Sequence, residues 1–407
     1  MPPMTQTTPR EELDRRIRQF QEYLAAQDIE GALILQNSDL FYFAGTIQQA
    51  HLYIPAAGAP LLMVRKSLER ARAESALYSI VPLRSPREIP DHLAAHGLAM
   101  PKILGLEMDV IPATLYLNYR RLFEGIELVD VSHGIRQVRA VKSLHELTLM
   151  RQAAVLADEV AGAARGLIRE GMTELDLAGR VEAEARRRGH QGVVRMRMWG
   201  GELFYGHLLA GPAAAVPSYL ASPTGGTGAG PAVAQGAGFG KVQPHQPILL
   251  DYVFAWQGYI ADHTRIFALG DLPDDLMAAH QAMLDLQDAL KTRARPGIQA
   301  GALYDFAIQW AADKGYGDWF MGADNQRIRF IGHGVGLELD EYPFLAQGQD
   351  MALQKNMTIA LEPKLIIPGK GVVGIENTHI VTDEGLEQIT CFDEAIQIIP
   401  YNAQPRT

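Results

Sequence analysis

Two pairs of acidic residues and one histidine stand where their side chains could act together. In PILLDYVFAWQGYIADHTRIF, two strand-like runs flank a short turn, and a turn centred on Trp256-Gln257 predicts Asp251 opposite Asp262. Directly opposed residues in a hairpin have Cβ atoms about 4.5–5.5 Å apart, a spacing at which like charges destabilise the sheet. The flanking Ile248, Leu249, Leu250, Ile260, Ile266 and Phe267 predict burial, which adds a desolvation cost that only a cation or a proton relieves. The segment IALEPKLIIPGKGVVGIEN repeats the arrangement, since a turn centred on Gly369 sets Glu362 opposite Glu376. One such pair alone reads equally well as exposed acids on strand faces. Two pairs in apolar surroundings favour a bound metal.

The fifth group is His333, in Phe330-Ile331-Gly332-His333-Gly334-Val335-Gly336. Glycines on both sides allow close backbone approach and unusual dihedrals, so an imidazole here could reach a metal. Taken alone, such a histidine more commonly fills an ordinary buried or turn position.

The elements that position these residues belong to a mixed α+β region. Runs around VVRMRMW, PILLDYVF, YIADHTRIFAL, MTIALEPKLII and VVGIENTHIV read as strands, with helices expected at about 273–294 and 301–314. Upstream, ALIL, LLMV, SIVPL and KILGLEM alternate with helix-like segments from Gly31 to about Val131, predicting a small α/β domain. Capping-box spacings at Thr8-Pro9-Arg10-Glu11, Ser143-Leu144-His145-Glu146 and Thr173-Glu174-Leu175-Asp176 predict three helix starts. The second helix is expected to run to about Glu170, and the domain boundary to fall near Val138 to Lys142, giving domains 1–137 and 138–407. Residues 222–240, rich in glycine, alanine and proline, read as a flexible surface loop rather than a phosphate-binding loop, because no strand leads into them and no helix start follows.

A chain of 407 residues exceeds what one core usually organises, and 47% apolar residues suit a globular protein. The net charge of −10 makes nucleic acid and membrane surfaces poor partners. No apolar run reaches the roughly 18 residues of a membrane span, and MPPMTQTTPR lacks a signal-peptide pattern, so a cytoplasmic location is expected. Cys391 is the single cysteine, which excludes an internal disulfide and a thiolate zinc cluster and predicts a small buried hydrophobe.

Over nearly the whole chain these motifs resemble the M24 metallopeptidases, the family of the methionine aminopeptidases, Xaa-Pro peptidases and creatinase. The resemblance rests on Arg139-Ala140-Val141-Lys142-Ser143, Asp251, Gly258-Tyr259, Asp262-His263-Thr264-Arg265, Gly332-His333-Gly334, Asp340-Glu341-Tyr342-Pro343, Glu362-Pro363 and Ile375-Glu376-Asn377. It implies an α+β molecule, with a small α/β creatinase-type N-terminal domain before a catalytic domain of the pita-bread fold. It further implies two divalent ions, manganese, cobalt, iron or zinc. Asp251 would bind one, His333 and Glu362 the other, and Asp262 and Glu376 both. Attack of a metal-bridging water on a small peptide or amide would follow, with Glu362 as general base and a likeness to Xaa-Pro dipeptidases and aminopeptidases. By analogy with relatives a homodimer is expected.

Three positions depart from the family pattern. Asp340 stands where proline-specific members carry a histidine, Ser218 aligns with a second family histidine, and Gly374 replaces an arginine, removing a fixed positive charge. The resemblance therefore assigns catalytic candidates Glu362, Asp340 and His207, and substrate contacts at Ser218, Tyr342 and Gly374. Two other outcomes stay open: altered chemistry, as in creatine hydrolysis or metal-dependent lyase cleavage of a sulfonium compound, and a binding protein with the same fold.

Overall fold

The computed structural model describes residues 7–197, 205–323 and 326–401, which divide into two compact units: residues up to Arg139 together with Arg197, and the remainder from Ala140. Each follows from a different apolar pattern.

In the first unit, short apolar strands form a six-stranded mixed sheet. They are β1 (Gly31–Ile34), β2 (Ala50–Pro55), β3 (Leu61–Val64), β4 (Ile80–Pro82), β5 (Ile103–Leu106) and β6 (Glu127–Asp130), in the order β4-β3-β2-β1-β5-β6. The helices α1 (Arg10–Ala26), α2 (Asn37–Ala44), α3 (Leu68–Glu74), α4 (Ile89–Ala95), α5 (Ala113–Leu122) and α6 (Ser132–Ala140) connect and flank these strands. The expected capping box at Thr8 does not form: Pro9 is the N-cap and Thr8 makes no side-chain cap. Proline at that position fixes φ at −58° and sets the entry of the chain instead.

The second unit opens with α7 (Leu144–Ala164), where the Ser143–Glu146 capping box forms on both sides, and α8 (Glu174–Arg187), capped by Thr173. α7 ends at Ala164, before the expected Glu170. Its alanine stripe and Leu177 and Val181 of α8 pack onto alternate residues of β7 (Gly206–Ala210), β8 (Ile248–Trp256) and β9 (Tyr259–Leu269). Leu250, Tyr252 and Phe254 face this layer, so Leu249 and Asp251 point the other way. A second layer, α9 (Asp274–Arg293) and α10 (Ala300–Asp313), packs on β10 (Phe330–Gly334), β11 (Glu341–Ala346), β12 (Thr358–Leu361), β13 (Lys364–Ile367) and β14 (Gly371–Gly374). β15 (Asn377–Thr382), β16 (Gly385–Gln388) and β17 (Gln397–Ile399) complete three sheets, ordered β17-β9-β8-β7, β11-β10-β12-β15-β16 and β13-β14. This is the pita-bread arrangement.

VVRMRMW is no strand over its described residues: 193–197 contribute only an isolated bridge, Met196 to Leu339, and the rest lies outside the described residues. Cys391 is exposed rather than buried, in a polar segment whose backbone N–H at Cys391 donates to Asp158 Oδ2 at 2.7 Å. Among the described residues no helix is long and apolar enough to cross a membrane.

Candidate metal centre

The hairpin β8–β9 turns at Gln257-Gly258, one residue later than the sequence suggests. Both residues have positive φ, 48° and 93°, the geometry of a two-residue turn that matches strand twist. The register therefore moves by two: Asp251 faces Thr264, and Asp262 faces Val253. A two-residue shift leaves side chains on the same face, so the aspartates are diagonal neighbours rather than directly opposed. For the glutamates the expected register holds. Lys364 pairs with Gly374 on one side and Leu361 with Asn377 on the other, which brackets Glu362 and Glu376 opposite each other.

The two strand systems meet at Glu376, whose backbone bridges Thr264. The Thr264 hydroxyl donates to Glu376 Oε2 at 2.8 Å, and Thr378 exchanges hydrogen bonds with the backbone of Asp262 at 2.8 and 2.9 Å. The fully buried Arg265 donates to Glu376 O at 3.1 Å and Asn377 Oδ1 at 2.9 Å. β9 is thus latched to the segment carrying the last glutamate.

His333 enters from β10. Its Nδ1 lies 3.1 Å from Gly334 O, an acceptor that keeps a proton on that nitrogen and turns Nε2 toward the acids. Nε2 is 3.9 Å from each of Asp262 Oδ2, Glu362 Oε1 and Glu376 Oε1. Ligand atoms of Asp262, His333 and Glu376 all lie within 4.8 Å of one another, and all three residues are buried. Among the described residues, Asp262 Oδ1 is buried without a hydrogen-bond partner. An orphaned carboxylate oxygen beside two further acids and an imidazole is a donor set that fits a divalent ion of the first transition row.

The electrostatics agree. Burial first, then the Glu376 and Asp251 charges, holds Asp262 well above the usual carboxylate range. Burial pushes Glu362 up to about 7 against the pull of Lys364. Burial alone would lower His333, but Asp340, Glu362 and Glu376 outweigh it and raise it.

Sequence reasoning missed one member of this cluster. Lys364, 1% exposed at its side chain, places Nζ at 2.7 Å from Glu376 Oε2, 2.9 Å from Glu362 Oε2 and 3.0 Å from Asp251 Oδ2. Burial opposes its charge, yet these three carboxylates hold its pKa well above that of an ordinary lysine. The signal was present: a lysine opening the apolar run Leu365-Ile366-Ile367 cannot be buried without an anionic partner. The same contact revises the reading of Gly374. No charge is missing from the site, because the residue across the hairpin supplies one. A second divalent ion on the same oxygens would be repelled by this ammonium, since two unit charges about 4 Å apart already interact by about 4 kcal/mol at an effective dielectric of about 20. The ammonium and a second divalent ion would compete for the same oxygens of Asp251, Glu362 and Glu376.

His207 sits opposite Asp251 on β7, with Nδ1 2.9 Å from Thr224 Oγ1, which in turn lies 3.5 Å from Asp251 Oδ2. It is therefore beside the cluster, and burial lowers its pKa. Thr224 belongs to the glycine-rich segment, which is not a surface loop throughout. Residues 223–226 are buried, because Gly225 and Gly226 bring the backbone closer to Val216, Ser218 and Leu209 than any Cβ would permit. Asp340, with φ 63°, sets Oδ1 3.5 Å from His333 Nδ1, behind the imidazole. The turn that carries it is held by Glu341, which accepts from Leu337 N at 2.8 Å and pairs with Lys142 at 2.9 Å. Ser218 is not brought to the acids: its hydroxyl donates to Ala234 O at 3.1 Å, and it lines a cavity of about 470 Å³ with Tyr219, Ser222, Ile366 and Pro368. Tyr342 packs against the apolar core, edge-on to Phe344 at 5.9 Å. Gly374, at φ 143°, faces Lys364.

Residues 148–383 match metallopeptidase family M24, and residues 16–141 match the creatinase/prolidase N-terminal domain. The chain is 26% identical over 383 residues to the Xaa-Pro dipeptidase of Pyrococcus horikoshii, covering 93% of this chain and 97% of that one. It is 30% identical over 296 residues to the Xaa-Pro dipeptidase of Lactobacillus helveticus, covering 72% of each. Among solved structures it resembles the Xaa-Pro dipeptidase from Bacillus anthracis with a TM-score of 0.80 at 24% identity, covering 95% of this chain and 99% of that one.

Proposed function

The chain belongs to metallopeptidase family M24, and from that premise we propose that it is a metal-dependent hydrolase of small peptides or amides, similar in activity to the Xaa-Pro dipeptidases. The observation that carries this reading is the buried convergence of Asp262, His333 and Glu376, with ligand atoms all within 4.8 Å of one another. When bound there, a divalent ion supplies Lewis acidity, lowering the pKa of water and polarising a carbonyl.

The protein's own groups do the rest. Glu362, with its carboxyl raised to about 7, takes a proton from the attacking water at neutral pH and returns it to the leaving amine. Lys364 keeps Glu362 and Glu376 oriented through its contacts at 2.9 and 2.7 Å. Asp340 stands behind His333 and fixes the ring, a positioning role rather than the substrate contact of a histidine. His207 presents a neutral imidazole beside Asp251, suited to holding a substrate carbonyl or carboxylate. The cavity beside Ser218 is the proposed seat of the substrate side chain.

In this reading residues 1–137 are the creatinase-type N-terminal domain and 138–407 the catalytic domain, the chain works in the cytoplasm as a homodimer, and its metal is manganese, cobalt, iron or zinc. The two-ion arrangement with Asp251 and Glu362 as further ligands remains the rival ion count. Lys364 and Asp340 favour a second reading, a family member with altered chemistry on an amide or sulfonium substrate.

A dipeptide panel with and without proline in the second position, assayed with each of the four metals, tests the proposal. Turnover lost in chelator and restored by metal is expected. No turnover with any metal contradicts the peptidase reading and leaves the altered-chemistry one.

A further inference from the structure

We propose that the ammonium of Lys364 is a resident cation of this centre, and that the chain binds a single divalent ion, at Asp262, His333 and Glu376, in place of two. The inference rests on the metal-dependent reading above and refines its site.

The oxygens divide between two cations. Asp251 Oδ2, Glu362 Oε2 and Glu376 Oε2 lie 2.7–3.0 Å from Lys364 Nζ. Glu362 Oε1, Glu376 Oε1 and Asp262 Oδ2 instead face His333 Nε2, at 3.9 Å each. The two glutamates therefore span the ammonium and the imidazole side, one oxygen to each. An ammonium has three donors and no acceptor, and here each donor is taken by a carboxylate from a different part of the chain. Its valence is complete. Asp262, whose Oδ2 belongs to the second set, also has a buried Oδ1 without a hydrogen-bond partner among the described residues.

The backbone around Lys364 is built for this insertion. Lys364 begins β13 paired with Gly374, and its carbonyl accepts from Met321 N at 3.0 Å. A Cβ at Gly374 would stand 2.5 Å from Pro363 O and 2.7 Å from Lys364 Cα, so no side chain competes from across the hairpin. Four carboxylates with one ammonium and one divalent ion keep a single formal negative charge. A second ion would reverse that sign and set two cations on the same Glu362 and Glu376 oxygens.

An ammonium tethered to the chain cannot be chelated or exchanged. Chelator-treated protein therefore keeps part of its charge compensation, and the metal titration ends early. The experiment strips the full-length protein with chelator and titrates it with Mn²⁺ alone by calorimetry, with metal analysis after desalting. One ion per chain is expected for the wild type and for Lys364→Arg, and two for Lys364→Gly, which opens the second position. Chelator is expected to lower the Tm of Lys364→Gly more than that of the wild type. Two ions in the wild type overturn the proposal while leaving the metal-dependent reading intact. No bound ion overturns both. One ion in folded Lys364→Gly also overturns it. Should that variant not fold, the wild type and Lys364→Arg decide the count.

Discussion

At the scale of single residues, the centre stores unfavourable electrostatics that a ligand relieves. Asp262 is the clearest case, since burial and the Glu376 and Asp251 charges all raise its pKa while, among the described residues, its Oδ1 lacks a hydrogen-bond partner. Asp262→Asn is therefore expected to act with opposite signs on stability and function. In chelator, thermal denaturation should show the variant more stable than the wild type, by on the order of 1 kcal/mol, because a buried charge has gone. With metal present the stabilisation that the wild type gains should be absent, along with turnover. A variant that keeps metal binding and activity would show that Asp262 is no ligand.

The acids stood out in the sequence because each interrupts an apolar run, whereas His333 stood out only through its flanking glycines and the family resemblance. Lys364 was overlooked although it opens an apolar run, since a lysine after Glu-Pro also reads as the exposed end of a strand until the pairing with Gly374 shows which way it points. Ser218 illustrates the converse: an alignment made across a glycine-rich insertion puts it at the site, while its hydroxyl bonds to that insertion's own backbone at Ala234.

At the scale of elements, register decides which groups meet. The β13–β14 hairpin was readable because Pro368-Gly369-Lys370 leaves little choice of turn, with Gly369 at φ 78°. The β8–β9 hairpin was misread by one turn residue, because a glutamine at φ 48° before the glycine is not a strong turn signal. The face survived the error, as any even shift preserves it. The Thr224 segment was misread as surface because glycine-rich composition reports turns and close approach alike.

The same scale supplies a pH prediction at the join of α8 and β8. His190 follows α8, accepts from Gly192 N through Nδ1 at 2.9 Å and faces Val253 O through Nε2 at 3.2 Å. This arrangement requires the neutral ring, and burial lowers its pKa from 6.5 to about 4. Between these values the unfolded chain binds a proton that the folded chain refuses. Stability is therefore fully present above pH 6.5 and falls as pH drops toward 4. Thermal denaturation across that window should show a steeper loss for the wild type than for His190→Gln, and equal slopes would contradict the assignment.

At the scale of the whole molecule, the fold class was open to sequence reasoning because the two units carry different patterns: short strands alternating with helices in one, long apolar strands between amphipathic helices in the other. What lay beyond it was the way α7 and α8 on one side and α9 and α10 on the other press two sheets together from distant parts of the chain. That layering forces four carboxylates into one dry cleft. A cation or a proton relieves such a cleft, and the chain brings a cation of its own in Lys364.

Anomalous diffraction from crystals grown with Mn²⁺ tests this most directly. One strong anomalous peak is expected, coordinated by Asp262, His333 and Glu376, with Lys364 Nζ still in contact with Asp251, Glu362 and Glu376. No peak among these residues, or a pair of peaks with Lys364 turned away, would contradict it.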